Sequence, residues 1–111
     1  MMKTFLLVSA ILAYLHMAGA LQCYSCNAYR SNDMKECLNI DGTAEVETCP
    51  EEYTSCFEVG IDYKKSKKYS NQRGCSPTKI CDDIKYEYKD QVRKCRDCSS
   101  DKCNNSTLSG K

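Results

Sequence analysis

The sequence has no Trp, two Pro, five Gly and one His, His16, so residues 21–111 contain no His at all. That absence removes the side chain that most readily exchanges protons near neutral pH. Triad hydrolases and the His-dependent phospholipase, ribonuclease and zinc-protease mechanisms are excluded, and no HExxH motif is present. Long apolar runs are also missing. The longest stretch, Phe5 to Leu15, covers 11 residues, against roughly 18 or more for a membrane span. A surplus of either charge is absent from 21–111, where fifteen Lys and Arg balance fifteen Asp and Glu. A uniformly basic nucleic-acid binder is therefore not expected.

Aliphatic residues are scarce as well: Ile, Leu, Val, Met and Phe supply only 12 of the 91 residues from 21 to 111. Such a chain cannot build a core that stands alone. What it has instead is ten cysteines, all within 21–111. Residues 1–20 combine an early Lys3, the Phe5–Leu15 run and the small residues Ala18-Gly19-Ala20. This pattern predicts a secretory signal peptide and hence an oxidising destination. Ten thiols then allow five disulfides, each contributing about 2–4 kcal/mol.

Two CxxC pairs, Cys23/Cys26 and Cys95/Cys98, raise the alternative of zinc. They lie some seventy residues apart, against roughly 15–20 in a ribbon-type site, and the compartment favours disulfides. No metal or other cofactor is expected. The paired acids Asp82-Asp83 and Glu51-Glu52 are read as solvated side chains, so the chain is not expected to be an enzyme.

The patterning is that of short strands. Tyr53 to Tyr63 alternates, with Phe57, Val59, Ile61 and Tyr63 on one face and Cys56, Glu58 and Asp62 on the other. Ile84 to Tyr88 alternates too and predicts another strand, Leu21–Cys26 predicts a third, and Met34–Ile40 a weaker one. Turn-rich segments such as Asp41-Gly42 and Ser76-Pro77 separate them. Lys64-Lys-Ser-Lys-Lys68 sits between two extended pieces and predicts a hairpin tip. Without Gly or Asn it favours a longer, mobile loop over a two-residue turn. Charge is uneven along the chain, at −6 over 21–58, +5 over 59–79 and +1 over 80–111. The lysine cluster at the tip has two readings, a loop kept soluble by its charge or a probe for an acidic receptor surface.

The opening Leu21-Gln-Cys23-Tyr-Ser-Cys26 and the closing Cys98-x4-Cys103-Asn104 carry a resemblance to the lymphocyte antigen 6/urokinase receptor family of three-finger domains. It spans essentially all of 21–105. Ten cysteines can pair in about 945 ways, so connectivity comes from the resemblance alone. It implies Cys23–Cys56, Cys26–Cys37, Cys49–Cys75, Cys81–Cys95 and Cys98–Cys103. The fold implied is a small disulfide-rich all-β domain, with fingers at 24–48, 57–74 and 82–94 and with the side-chain amide of Asn104 closing the hub. The sequence departs from many vertebrate members in one respect: Arg96-Asp97 separate Cys95 from Cys98, a looser spacing similar to invertebrate members.

Residues 106–111 are expected to form a short flexible tail. The terminal Asn105-Ser-Thr-Leu-Ser-Gly-Lys111 shows no hydrophobic tail of the kind a glycolipid anchor signal needs, so a free secreted protein without a direct membrane anchor is expected. Overlapping sequons start at Asn104 and Asn105. With Asn104 committed to the hub, Asn105 is the acceptor to expect if the sequon is used.

Function implied by the resemblance is that of a secreted, monomeric ligand. Its rigid fingers would contact the ectodomain of a membrane receptor or channel, a nicotinic acetylcholine receptor or another neuronal channel. The second finger would carry the contact through Lys64, Lys65, Lys67 and Lys68, flanked by Tyr63 and Tyr69 as anchors or as strand-pairing residues. The alternatives are an extracellular trafficking or junction-assembly factor and a venom or salivary toxin.

Overall fold

The structure is a computed structural model that describes residues 20–41 and 44–109. The expected signal peptide (1–19 of its 20 residues), Gly42 of the Asp41-Gly42 turn and the last two residues of the tail lie outside the described residues. Five strands form one antiparallel sheet: β1 (Gln22–Ser31), β2 (Glu45–Thr48), β3 (Ser55–Tyr63), β4 (Lys68–Ser76) and β5 (Val92–Cys98), in the order β2-β1-β4-β3-β5. A helix, α1 (Cys81–Tyr88), and a 3-10 turn (Lys89–Gln91) precede β5. Among the described residues, no helix is long and apolar enough to cross a membrane.

The alternation of 53–63 becomes β3, which pairs with β4 in unbroken register from Ser55↔Ser76 to Tyr63↔Lys68. Its other edge pairs with β5 from Cys56↔Cys98 to Ile61↔Val92, with a register shift between Gly60 and Ile61. One face of β3 buries Val59, Ile61 and Tyr63, which pack with Phe57, Cys95, and Ile84 and Tyr88 of the helix. The second apolar cluster is the disulfide hub, where Cys23, Cys49 and Cys56 meet Leu21, Tyr53, Cys75, Cys98 and Cys103. The sulfurs of Cys23 and Cys49 lie 3.2 Å apart, so stacked disulfides occupy the centre that aliphatic side chains would otherwise fill.

The five bonds are Cys23–Cys56, Cys26–Cys37, Cys49–Cys75, Cys81–Cys95 and Cys98–Cys103, and among the described residues no cysteine is free. Three fingers leave the hub: β1 and β2 with their connecting loop, the β3–β4 hairpin, and α1 with β5.

Three expectations are corrected. Residues 84–88 are helical because Ile84 and Tyr88 meet β3 from one helical face while Tyr86 points outward, 84% exposed. The Asp97 carboxylate accepts the N–H groups of Ile80 (3.1 Å) and Cys81 (3.0 Å), supplying the cap the helix start needs. Residues 34–40 form turns and bends rather than a strand. Asp33 Oδ1 accepts the Lys35 N–H at 2.9 Å, an Asx turn that competes with extended pairing. The hairpin tip is longer than a two-residue turn, as expected: four residues, Lys64–Lys67, closed by a 2.8 Å bond from Lys67 N to Tyr63 O. Lys67 takes the left-handed conformation (φ 56°) in which Gly is usual. Finally, residues 106–109 do not hang free: Leu108 is 0% exposed and its N–H bonds to Leu38 O at 2.8 Å.

Candidate functional site

The tips of the three fingers converge. On the second finger Lys64, Lys65 and Lys67 are exposed, while Lys68 and Tyr69 are half-buried within β4. Of its two expected roles Tyr63 takes the strand-pairing one, opposite Lys68 and 8% exposed, and not that of an exposed anchor: its ring meets Tyr88 edge-on at 6.1 Å between centroids and carries the Arg30 guanidinium at 4.9 Å. Arg30 belongs to the first finger. It sits at φ 48° where β1 breaks register with β4 between Ala28 and Ser31, and its N–H donates to Ser70 Oγ at 2.9 Å. The third finger braces the hairpin from the opposite side. Asp90 pairs with Lys64 Nζ at 2.5 Å, and Gln91 Oε1 accepts the Lys64 N–H at 3.2 Å.

Between the fingers lies an open groove of ≈ 550 Å³ whose walls include Arg30, Tyr63, Lys64, Lys65, Tyr88 and Asp90. Burial pushes the Tyr88 hydroxyl above its ordinary range, with Glu87 adding to the effect. Its phenol therefore stays neutral at physiological pH. The groove thus sets Arg30, Lys64 and Lys65 together with Asp90 around the Tyr63 and Tyr88 rings.

Behind the tips, the second face of β3 and β4 carries buried charge. Glu58 and Arg73 are opposed across the strands with their side chains fully buried and 3.6 Å apart. Arg96 approaches the same carboxylate at 3.4 Å, and Ser106 donates its N–H at 3.1 Å as well as its hydroxyl. Arg73 donates to the carbonyls of Asn104 (3.2 Å), Cys37 (3.3 Å) and Leu38 (2.8 Å). Burial pulls its guanidinium below the ordinary arginine value, Glu58 opposes that shift, and Arg96 reinforces it.

Further along the same face, Arg93 donates Nε (3.0 Å) and Nη2 (2.7 Å) to Asp62, and Nη1 to Asn71 Oδ1 (2.9 Å) and the Leu108 carbonyl. Asn71 Nδ2 in turn holds the carbonyls of Met34 and Glu36, both at 2.8 Å. The first-finger loop and residues 104–108 are thus fastened side by side over a polar sheet face. This clasp was not foreseen, since its partners are distant in sequence and each residue alone looks like a solvated one.

At the hub, Asn104 Oδ1 accepts the Tyr24 N–H at 2.9 Å, and Nδ2 donates to the carbonyls of Tyr24 (2.9 Å) and Phe57 (3.0 Å). Asn104 is 0% exposed, whereas Asn105 is exposed. The sulfur groups with metal-like proximity, Cys23/Cys49/Cys75 and Cys56/Cys98/Cys103, are disulfide-bonded and offer no thiolate. Asp82 and Asp83 lie exposed in the first turn of α1, and Glu51 and Glu52 are exposed in a turn.

No family model matches the chain. It is 37% identical over 110 residues to prostate stem cell antigen of Mus musculus, a similarity covering 93% of this chain and 76% of that protein. That relative is a lymphocyte antigen 6/urokinase receptor protein, from a family of extracellular or cell-surface and generally non-enzymatic proteins. With its five disulfides and antiparallel five-stranded sheet, the chain belongs to the lymphocyte antigen 6/urokinase receptor family of three-finger domains.

Proposed function

We propose that this domain is a secreted, monomeric and non-enzymatic ligand that presents its fingertips to the ectodomain of a membrane receptor or channel, of the nicotinic acetylcholine receptor type or another neuronal channel. The observation that carries the reading is the exposed lysine group Lys64, Lys65 and Lys67 on a hairpin tip braced from both neighbouring fingers. A braced tip has little ordering entropy left to lose on binding, so a modest contact area can give useful affinity. Clustered charge adds long-range steering toward an acidic surface. Asn105, exposed beside the buried Asn104, is the glycosylation acceptor in this reading.

The test is charge reversal of Lys64, Lys65, Lys67 and Lys68 to Glu. Binding of the purified protein to cells expressing candidate receptors should fall at least tenfold, with the circular dichroism spectrum and disulfide map unchanged. Unaltered binding would remove the tip from the contact surface. An acute change in current on adding the protein supports a ligand, whereas an effect requiring co-expression supports an assembly factor.

A further inference from the structure

Resting on the fingertip reading above, we infer that the groove between the fingers is a carboxylate-binding site assembled from all three of them, with Arg30 as its recognition fork and an acidic segment of a partner protein as its ligand. Three observations carry this.

Arg30 is held in place without using its donors. Its backbone N–H is tied to Ser70, and its guanidinium carbon lies over the Tyr63 ring at 4.9 Å and the Tyr29 ring at 5.7 Å, within range of attraction to both. Yet the guanidinium makes no hydrogen bond among the described residues. A guanidinium held by ring contacts rather than by hydrogen bonds keeps its N–H donors available for bidentate carboxylate contact.

Charge in the groove is matched to an anion. Arg30, Lys64 and Lys65 face it, with Lys64 pre-paired to Asp90. That pair holds one lysine to the wall and leaves Arg30 and Lys65 as the cations on offer. Size gives the third argument: ≈ 550 Å³ of open groove over tyrosine rings accommodates a side chain with its peptide neighbours. An acidic stretch flanked by apolar or aromatic residues fits both the floor and the walls.

The probe is an N-acetylated, C-amidated peptide of alternating Glu and Tyr, titrated into the isotopically labelled folded protein at about 0.15 M salt to suppress diffuse attraction. Saturable NMR shifts are expected at the Arg30 Nε–H and at the Lys65 and Ser66 amides. Arg30→Gln should weaken the peptide about tenfold, and Arg30→Lys nearly as much, because a charged fork and not charge alone is lost. Absence of saturable shifts, equal affinity in Arg30→Gln, or shifts confined to another basic surface would each overturn the carboxylate site.

Failure of the two ideas is distinguishable. If Lys-to-Glu reversal abolishes cell binding and Arg30→Gln changes neither cell nor peptide binding, the carboxylate fork is wrong and the fingertip reading stands. If peptide binding depends on Arg30 and reversal leaves cell binding unchanged, the groove remains a carboxylate site and the lysine tip falls as the contact surface.

Discussion

The Glu58 carboxylate and the Arg73 guanidinium are 3.6 Å apart with both side chains fully buried, on adjacent strands at the same register position. Removing one partner leaves a desolvated charge uncompensated, which costs far more than the pair itself contributes. Glu58→Gln should therefore destabilise the domain by about 3–5 kcal/mol, read as a lowered midpoint in guanidinium titration with the disulfides intact. Arg73→Met added to it should cost less than the two single changes summed.

Gly60 is required by its neighbour rather than by its backbone. A Cβ there would overlap the Arg93 guanidinium and crowd Asn71 Oδ1 at 3.2 Å. Gly60→Ala would displace the group that holds Asp62, Asn71 and the Leu108 carbonyl together. The expected loss is about 2–3 kcal/mol. Arg93→Ala should add little in the Gly60→Ala background, and a denaturant double-mutant cycle tests this.

Tail residues should behave as part of the folded domain. Leu108 is wholly buried and bonded to Leu38, so its amide should exchange with solvent as slowly as those of β3. Leu108→Ala should cost about 2–4 kcal/mol. Rapid exchange at Leu108 in hydrogen-exchange NMR would contradict the clasp.

For the overlapping sequons, the expected outcome is a single glycan. Asn105→Gln should abolish the mass loss on enzymatic deglycosylation, while Asn104→Gln should reduce the yield of folded protein. The longer amide of Gln cannot serve Tyr24 and Phe57 together without shifting the hub.

At the third finger, Asp97→Ala removes the acceptor for two N–H groups at the start of α1. A loss of about 1–2 kcal/mol is expected, with hydrogen exchange accelerating at Ile80 and Cys81 before it does in β3.

Legibility in the sequence followed interaction range. The β3 alternation could be read because a strand's period is local. The 84–88 segment misled because Ile84, Tyr86 and Tyr88 satisfy period two, while Ile84 and Tyr88 alone satisfy the four-residue helical spacing. Asp82 and Asp83 ahead of them, favourable in a first helical turn, were the signal that could have decided it.

Arg96 and Asp97 looked like an insertion loosening the cysteine framework. In the structure Arg96 reaches Glu58 and the Cys103 carbonyl, and Asp97 caps the helix. Disulfide connectivity came only from the family resemblance, and the clasp over Glu58, Arg73 and Arg93 was hidden because each bond joins segments many residues apart. The convergence of Arg30, Tyr63 and Asp90 was invisible for the same reason.

The Asn104 amide also sets what the hub needs before it can close. It joins Tyr24 across 80 positions of chain, so the first strand waits for the last cysteine loop before the hub can close. A chain that ends just before Cys103 leaves Cys98 without its partner, while the other four pairs are already complete. A chain that reaches Cys103 but stops before Asn104 keeps all ten cysteines and lacks the amide that ties β1 to β3 at the hub.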